Sequence, residues 1–129
     1  MALVFLDANI LFDIFEERRD VNLRELTKNH LFCSPLSIHI YNYLYKRKMP
    51  EEKIIKILER LEVEFVPMSG DIVFQALKGP TKDFEDNVQL YSAVECECDY
   101  FLTNDKPLWD GMKFFGKVKI VPEVPVESR

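Results

Sequence analysis

The sequence predicts an α/β fold: a central parallel sheet of four to five strands with helices on both faces, three layers in all. Two observations carry this expectation. Short apolar runs alternate with amphipathic segments along the chain, the order that strand–helix–strand crossovers require. The apolar runs are also nearly continuous rather than alternating in polarity, as expected of strands covered on both faces.

Residues 2–6 read as the first strand. A helix over 8–17 follows, because Ile10, Leu11, Ile14 and Phe15 share one face. The charged run Glu16-Glu17-Arg18-Arg19-Asp20 closes it. Residues 21–29 read as a short second helix with Leu23 and Leu26 inward, and 31–34 as the second strand. A helix over 37–48 comes next. Pro50 opens another, with Ile54, Ile55, Leu58 and Leu61 as its apolar stripe, since proline suits the first turn of a helix. Residues 63–66 form a third strand and 70–77 a helix. Gly79-Pro80-Thr81 breaks the chain before a helix over 83–96. Residues 99–102 make strand four, 107–111 a short helical turn, and 118–121 strand five.

A chain of 129 residues with 47% hydrophobic side chains suits one domain with a buried core. We assign residues 1–122 to that domain and 123–129 to a loosely held tail. No apolar run approaches the roughly 20 residues of a membrane span. The chain opens on a strand and not on a charged-then-apolar leader, so a cytoplasmic location is expected. The net charge of −5 argues against a general nucleic-acid coat protein, which is normally basic. An enzyme acting on nucleic acid stays open, because acidic metal ligands themselves lower the charge. The three cysteines, with Cys96 and Cys98 separated by one residue, do not have zinc-knuckle spacing. They read as buried small apolar residues without disulfides. Only four glycines are present, and none forms a phosphate-cradling loop.

Three aspartates stand out. Asp7 ends the run Leu3-Val4-Phe5-Leu6, and Asp105 follows the run Tyr100-Phe101-Leu102-Thr103. Asp86 lies in the first turn of the helix leading into that second run. The short loop after that helix makes it antiparallel to the strand, so its start falls at the strand's carboxyl edge. Ligands of open α/β sheets bind there. Each aspartate also has a structural reading. Asp7 could cap the first helix, Asp83 could cap the helix that follows it with Asp86 completing a capping box, and Asp105 could cap the turn 107–111. The two readings are compatible, since a helix N-terminus favours the ionised carboxylate. Carboxylate-only ligation completed by water suits Mg²⁺ or Mn²⁺. Such a cation can acidify water and neutralise charge on a phosphodiester.

Phe5-Leu6-Asp7-Ala8-Asn9-Ile10-Leu11, Asp83-Phe84-Glu85-Asp86-Asn87-Val88-Gln89 and Asp99-Tyr100-Phe101-Leu102-Thr103-Asn104-Asp105 resemble three successive motifs of PIN-domain proteins. The resemblance covers nearly the whole chain, in order, spacing and context. Many small PIN proteins are toxin ribonucleases of VapBC-type toxin–antitoxin pairs. The resemblance therefore implies a Mg²⁺- or Mn²⁺-dependent endoribonuclease with Asp7, Asp86 and Asp105 as metal ligands and catalytic residues. Asn9 and Thr103 would support them by hydrogen bonding, and Asp83 would be an outer ligand or only a cap. It also implies RNA as substrate, a protein antitoxin that covers the acidic cleft, and a homodimer held near residues 40–44. One departure stands out. Ile40 occupies the position where such proteins usually carry a glutamate, and no acid lies between Cys33 and Pro50. A branch of the family also lacks that glutamate.

His39 could replace the absent acid or be a plain helix-surface residue; His30 would end a helix. Lys46, Arg47 and Lys48 form the basic cluster, either a solvated helix end or a contact for RNA phosphates. Tyr41, Tyr43 and Tyr45 flank it, and some could stack on bases. Trp109 could line the cleft or close the sheet edge. A catalytically silent PIN-like module that binds RNA or a protein is the second reading. A phosphate-accepting receiver is a third, but it would need a central aspartate and a late lysine at spacings that do not fit.

Overall fold

The computed structural model describes residues 1–18, 21–45 and 49–126. Its elements are β1 (Leu3–Leu6), α1 (Ala8–Glu16), α2 (Leu23–Leu26), β2 (His30–Cys33), α3 (Pro35–Tyr45), α4 (Glu51–Leu61), β3 (Glu64–Phe65), α5 (Gly70–Lys78), α6 (Phe84–Glu95), β4 (Tyr100–Leu102), β5 (Phe114–Phe115) and β6 (Val118–Val121). The sheet order is β3-β2-β1-β4-β6-β5. The β1–β2, β1–β4, β2–β3 and β4–β6 pairs are parallel, and β5 runs antiparallel to β6.

The sheet has six strands where the sequence suggests four to five, and it is not wholly parallel. The extra strand is the two-residue β5, turned back on β6 through Gly116 at φ 61°. Two residues are too short for a periodic signal. Glycine takes such a positive φ without steric cost. Pro107–Met112, read as a short helical turn, is a wide π-type segment. His30 opens β2 and does not end a helix.

The strands alternate sides, so β1 feeds two cores. Val4 and Leu6 join Ile10, Leu11, Ile14 and Phe15 of α1, Tyr41 of α3, and Ile54 and Leu61 of α4. Phe5 joins Phe32, Phe101 and Ile120 of neighbouring strands and Leu90 and Ala93 of α6. Phe5 and Phe101 stack with centroids 5.6 Å apart. A third, smaller cluster sets Ile72 and Ala76 of α5 against Val88 of α6. These are the three layers, helix on sheet on helix. On α4 the buried stripe runs through Ile54 and Leu61, with Ile57 and Leu58 partly covered. Ile55 is 54% exposed, about 100° around the helix from Ile54, which corrects its place in the expected stripe. Cys33 and Cys98 are buried among apolar side chains, and all three cysteines are free. Val124 of the tail packs against the first core. Among the described residues no helix is long and apolar enough to cross a membrane.

Candidate functional site

The strand order makes a place for a site. From β1 the chain builds outward through β2 to β3, then returns to the other side of β1 with β4. The carboxyl ends of β1 and β4 therefore flank the switch point, where open α/β sheets bind ligands. Asp7 sits there. Its N–H donates to the Leu102 carbonyl at 3.0 Å, and Thr103 N–H donates to Val121 O at 3.0 Å, so both residues extend the sheet ladder one step past the strands.

Asp7 is 3% exposed. Its Oδ1 accepts from Ala8 N–H at 2.8 Å, capping α1 as expected. Its Oδ2 accepts from Thr103 Oγ1 at 2.7 Å and from Asn9 Nδ2 at 3.3 Å. Burial pushes the carboxyl up to about 6, against the lowering bonds from Thr103 and Ala8 and with further upward push from Asp105 and Asp83. Asp86 is pushed up to about 7, first by burial and then by the charges of Asp7, Asp83, Asp105 and Glu85. The charges of Asp83 and Asp105 thus bear on both Asp7 and Asp86. The capping assignments resolve unevenly. Asp83 Oδ1 caps α6 by accepting from Asp86 N–H at 3.1 Å. Asp86 does not return the bond, because Asp83 N–H donates to Thr81 Oγ1 at 3.0 Å. Asp105 does not cap with its side chain: the residue before Pro107 is Lys106, and no side-chain cap bond is made there. Instead the Asp105 carbonyl accepts from Leu108 and Trp109 N–H, and its own N–H donates to Thr103 Oγ1 at 3.0 Å.

Asn9 and Thr103 do stand beside Asp7, bonded to it and to each other at 3.2 Å. Two further residues escape the sequence reading. Asn104 N–H donates to Asn9 Oδ1 at 3.1 Å, and its side-chain amide donates to Asp13 Oδ2. Asp13 lies one turn beyond Asn9 on α1 and is buried. A lone acid inside Ile10-Leu11-Phe12-Asp13-Ile14-Phe15 is the signal that could have marked it, since buried carboxylates need partners.

The helix α3 carries no acid. Ile40 of α3 is buried. Three residues earlier, Ser37 Oγ exchanges hydrogen bonds with the Gln89 amide at 3.1 and 3.3 Å, one turn along α6 from Asp86. His39 is exposed. Trp109 packs partly buried on the second core, which favours the sheet-closing role. Tyr41 is core, set against Phe12 and Phe15, and Tyr43 is exposed. Lys46, Arg47 and Lys48 lie outside the described residues.

Among the described residues no three His, Cys, Asp or Glu side chains stand close enough to form a ready-made metal cage. The side chains that could share a hydrated divalent cation are Asp7, Asp86 and Asp105, with Asp83 as the N-cap of α6 beside them. Mg²⁺ in particular keeps several waters and takes only one or two carboxylates directly, so an open acidic edge fits it as a donor set.

No family model matches the chain, and no curated protein matches it. Among solved structures it is similar to VapBC2 from Rickettsia felis, bound to a DNA fragment from its promoter. The TM-score is 0.69, over 92% of this chain and 97% of that one, with 17% of residues identical. At that identity the likeness is one of architecture: six mostly parallel strands flanked by helices, a PIN-like fold.

Proposed function

We propose that the protein is a VapC-like toxin that cleaves RNA with a divalent cation, Mg²⁺ or Mn²⁺, bound at Asp7, Asp86 and Asp105. The observation that carries this reading is the buried Asp7 carboxylate at the switch point, held by Thr103 and Asn9, where burial first and the charges of Asp105 and Asp83 next push it up to about 6 while burial and the neighbouring carboxylates push Asp86 up to about 7. Structural aspartates are normally paired with cations or spread apart; here Asp7 and Asp86 are raised by burial and by neighbouring carboxylates. A bound cation would supply Lewis-acid neutralisation of a phosphodiester. The chain's own residues do the rest. Thr103 and Asn9 hold the Asp7 carboxylate in one orientation. The backbone bond from Asp105 to Thr103 keeps the second strand-end acid beside it. Asp83 fixes the first turn of α6, and with it Asp86.

The fold likeness to a chain of a VapBC complex supports an antitoxin partner, which would offer a basic side chain to the acidic edge. A second copy of the chain belongs to the same reading. Ile40 is buried and therefore leaves the expected dimer face, while Tyr43 and Leu44 are 71% and 58% exposed and remain on it. Sedimentation at twice the chain's mass would support that surface; a monomer at high concentration would count against it.

The experiment for the enzyme is cleavage of a mixed-sequence fluorogenic RNA with Mn²⁺ and with chelator, wild type beside Asp7→Asn. Cleavage that needs metal and falls at least a hundredfold in the variant is the expected result. Equal rates in the two proteins would expose a contaminant and sink the enzyme reading. A second reading has its own observation: buried Ile40, with Ser37 and Gln89 beside it, leaves α3 without an acid. RNA binding without cleavage would favour a catalytically silent module.

A further inference from the structure

Asp13 is a buried carboxylate that takes no part in the acidic cluster. Its Oδ2 meets Asn104 in the segment that leaves β4. Asn9 and Asp13 are one helical turn apart and so share a face. Both grip the same residue, Asn104. Asn9 Oδ1 takes its backbone N–H at 3.1 Å and Asp13 Oδ2 takes its side-chain amide. Asn104 stands between Thr103 and Asp105. A residue held at both backbone and side chain cannot rotate, so its two neighbours are fixed as well. Thr103 Oγ1 then closes the circuit. It donates to Asp7 at 2.7 Å and accepts from Asn9 Nδ2 at 3.2 Å and Asp105 N–H at 3.0 Å.

We propose that Asp13 is a positioning residue for the acidic site: through Asn104 it sets the separation and orientation of the Asp7 and Asp105 carboxylates. This rests on the metal reading above. A carboxylate acceptor makes a charge-assisted bond to the Asn104 amide, stronger than a neutral one. Groups that orient metal ligands from behind typically change affinity ten- to a hundredfold when removed.

The test measures Mn²⁺ binding by electron paramagnetic resonance in the full chain, with thermal unfolding followed alongside. Asp13→Ala and Asn104→Ala should each weaken Mn²⁺ binding by on the order of tenfold. The double variant should be no weaker than either single one, because the two changes break one bond. Asp13→Asn keeps an acceptor for the amide and should recover most of the affinity. In the metal-free Asp13→Ala protein the Asn9 side-chain amide resonance should move, a readout independent of cation. Wild-type affinity in folded Asp13→Ala overturns the proposal, as do fully additive losses in the double variant. If Asp13→Ala does not fold, Asn104→Ala decides alone, and wild-type affinity there overturns the proposal equally. A wild-type protein that binds no Mn²⁺ overturns the metal reading itself and this proposal with it. Wild-type binding that no variant disturbs overturns only the positioning role.

Discussion

Replacing Asp86 by asparagine should make the metal-free protein more stable at pH 8 while removing its response to Mn²⁺. The two effects share one cause. Asp86 is half-buried, and burial together with Asp7, Asp83, Asp105 and Glu85 pushes its carboxyl up to about 7. At pH 8 the folded chain therefore holds a carboxylate its surroundings disfavour. Asparagine keeps the volume and drops the charge. Asp86 contributes its backbone N–H to the Asp83 cap, and that bond survives the change. Discounted for solvent screening, the gain should be about 1 kcal/mol, or about 4 °C in melting temperature for a chain of this size. The same change deletes a proposed ligand, so cleavage and the Mn²⁺-induced rise in melting temperature should both fall at least about a hundredfold in metal sensitivity. Melting curves of wild type and Asp86→Asn, with and without Mn²⁺, check both halves. A variant that is less stable without metal, or one still stabilised by Mn²⁺ like wild type, would refute the account.

The metal-free protein should also lose stability as pH rises from 5 to 8. Asp7 titrates at about 6 and Asp86 at about 7 in the folded chain, above the ordinary value of 3.8. A carboxyl whose folded value is raised stabilises the fold in its protonated form. That contribution is complete below 3.8 and is lost as pH climbs through about 6 and then about 7. For Asp7, which is almost wholly buried, the difference corresponds to about 3 kcal/mol. Urea midpoints across this window should therefore fall with pH, and Mn²⁺ at pH 8 should restore them, since a cation stabilises the ionised form it binds. A His30→Gln/His39→Gln background leaves carboxyls as the groups that the profile reads. A flat profile in that background would show that burial and neighbouring charge do not raise Asp7 and Asp86.

Element identities were legible because periodicity encodes them. The continuous apolar run of β1 marked a strand covered on both faces, and Val4, Phe5 and Leu6 are buried on alternate sides. The stripe Ile10, Leu11, Ile14, Phe15 marked α1, and all four are buried. The convergence of Asp7, Asp86 and Asp105 followed from chain direction: a helix joined by a short loop to the next parallel strand must start at that strand's carboxyl edge. β5 was not legible, because two residues carry no period and its pairing is decided by the turn at Gly116. Ile55 was misplaced because the stripe on α4 passes through Ile54 and Leu61, a choice made by what lies opposite the helix.

What the sequence determined by itself was the order of elements, the α/β class and the side of the sheet on which the acids gather, because these depend on local periodicity and chain direction. Only the tertiary structure decided which groups those acids meet. That Thr103 reaches Asp7 across 96 residues, that Asp86 stands in the field of Asp7 and Asp105 as well as its neighbours Asp83 and Glu85, and that Asp13 reaches Asn104 across 91 residues are contacts that bring distant segments together. Hydrogen bonds and desolvation act through space at a few ångströms, and no local pattern of residues records which distant partner arrives within that range.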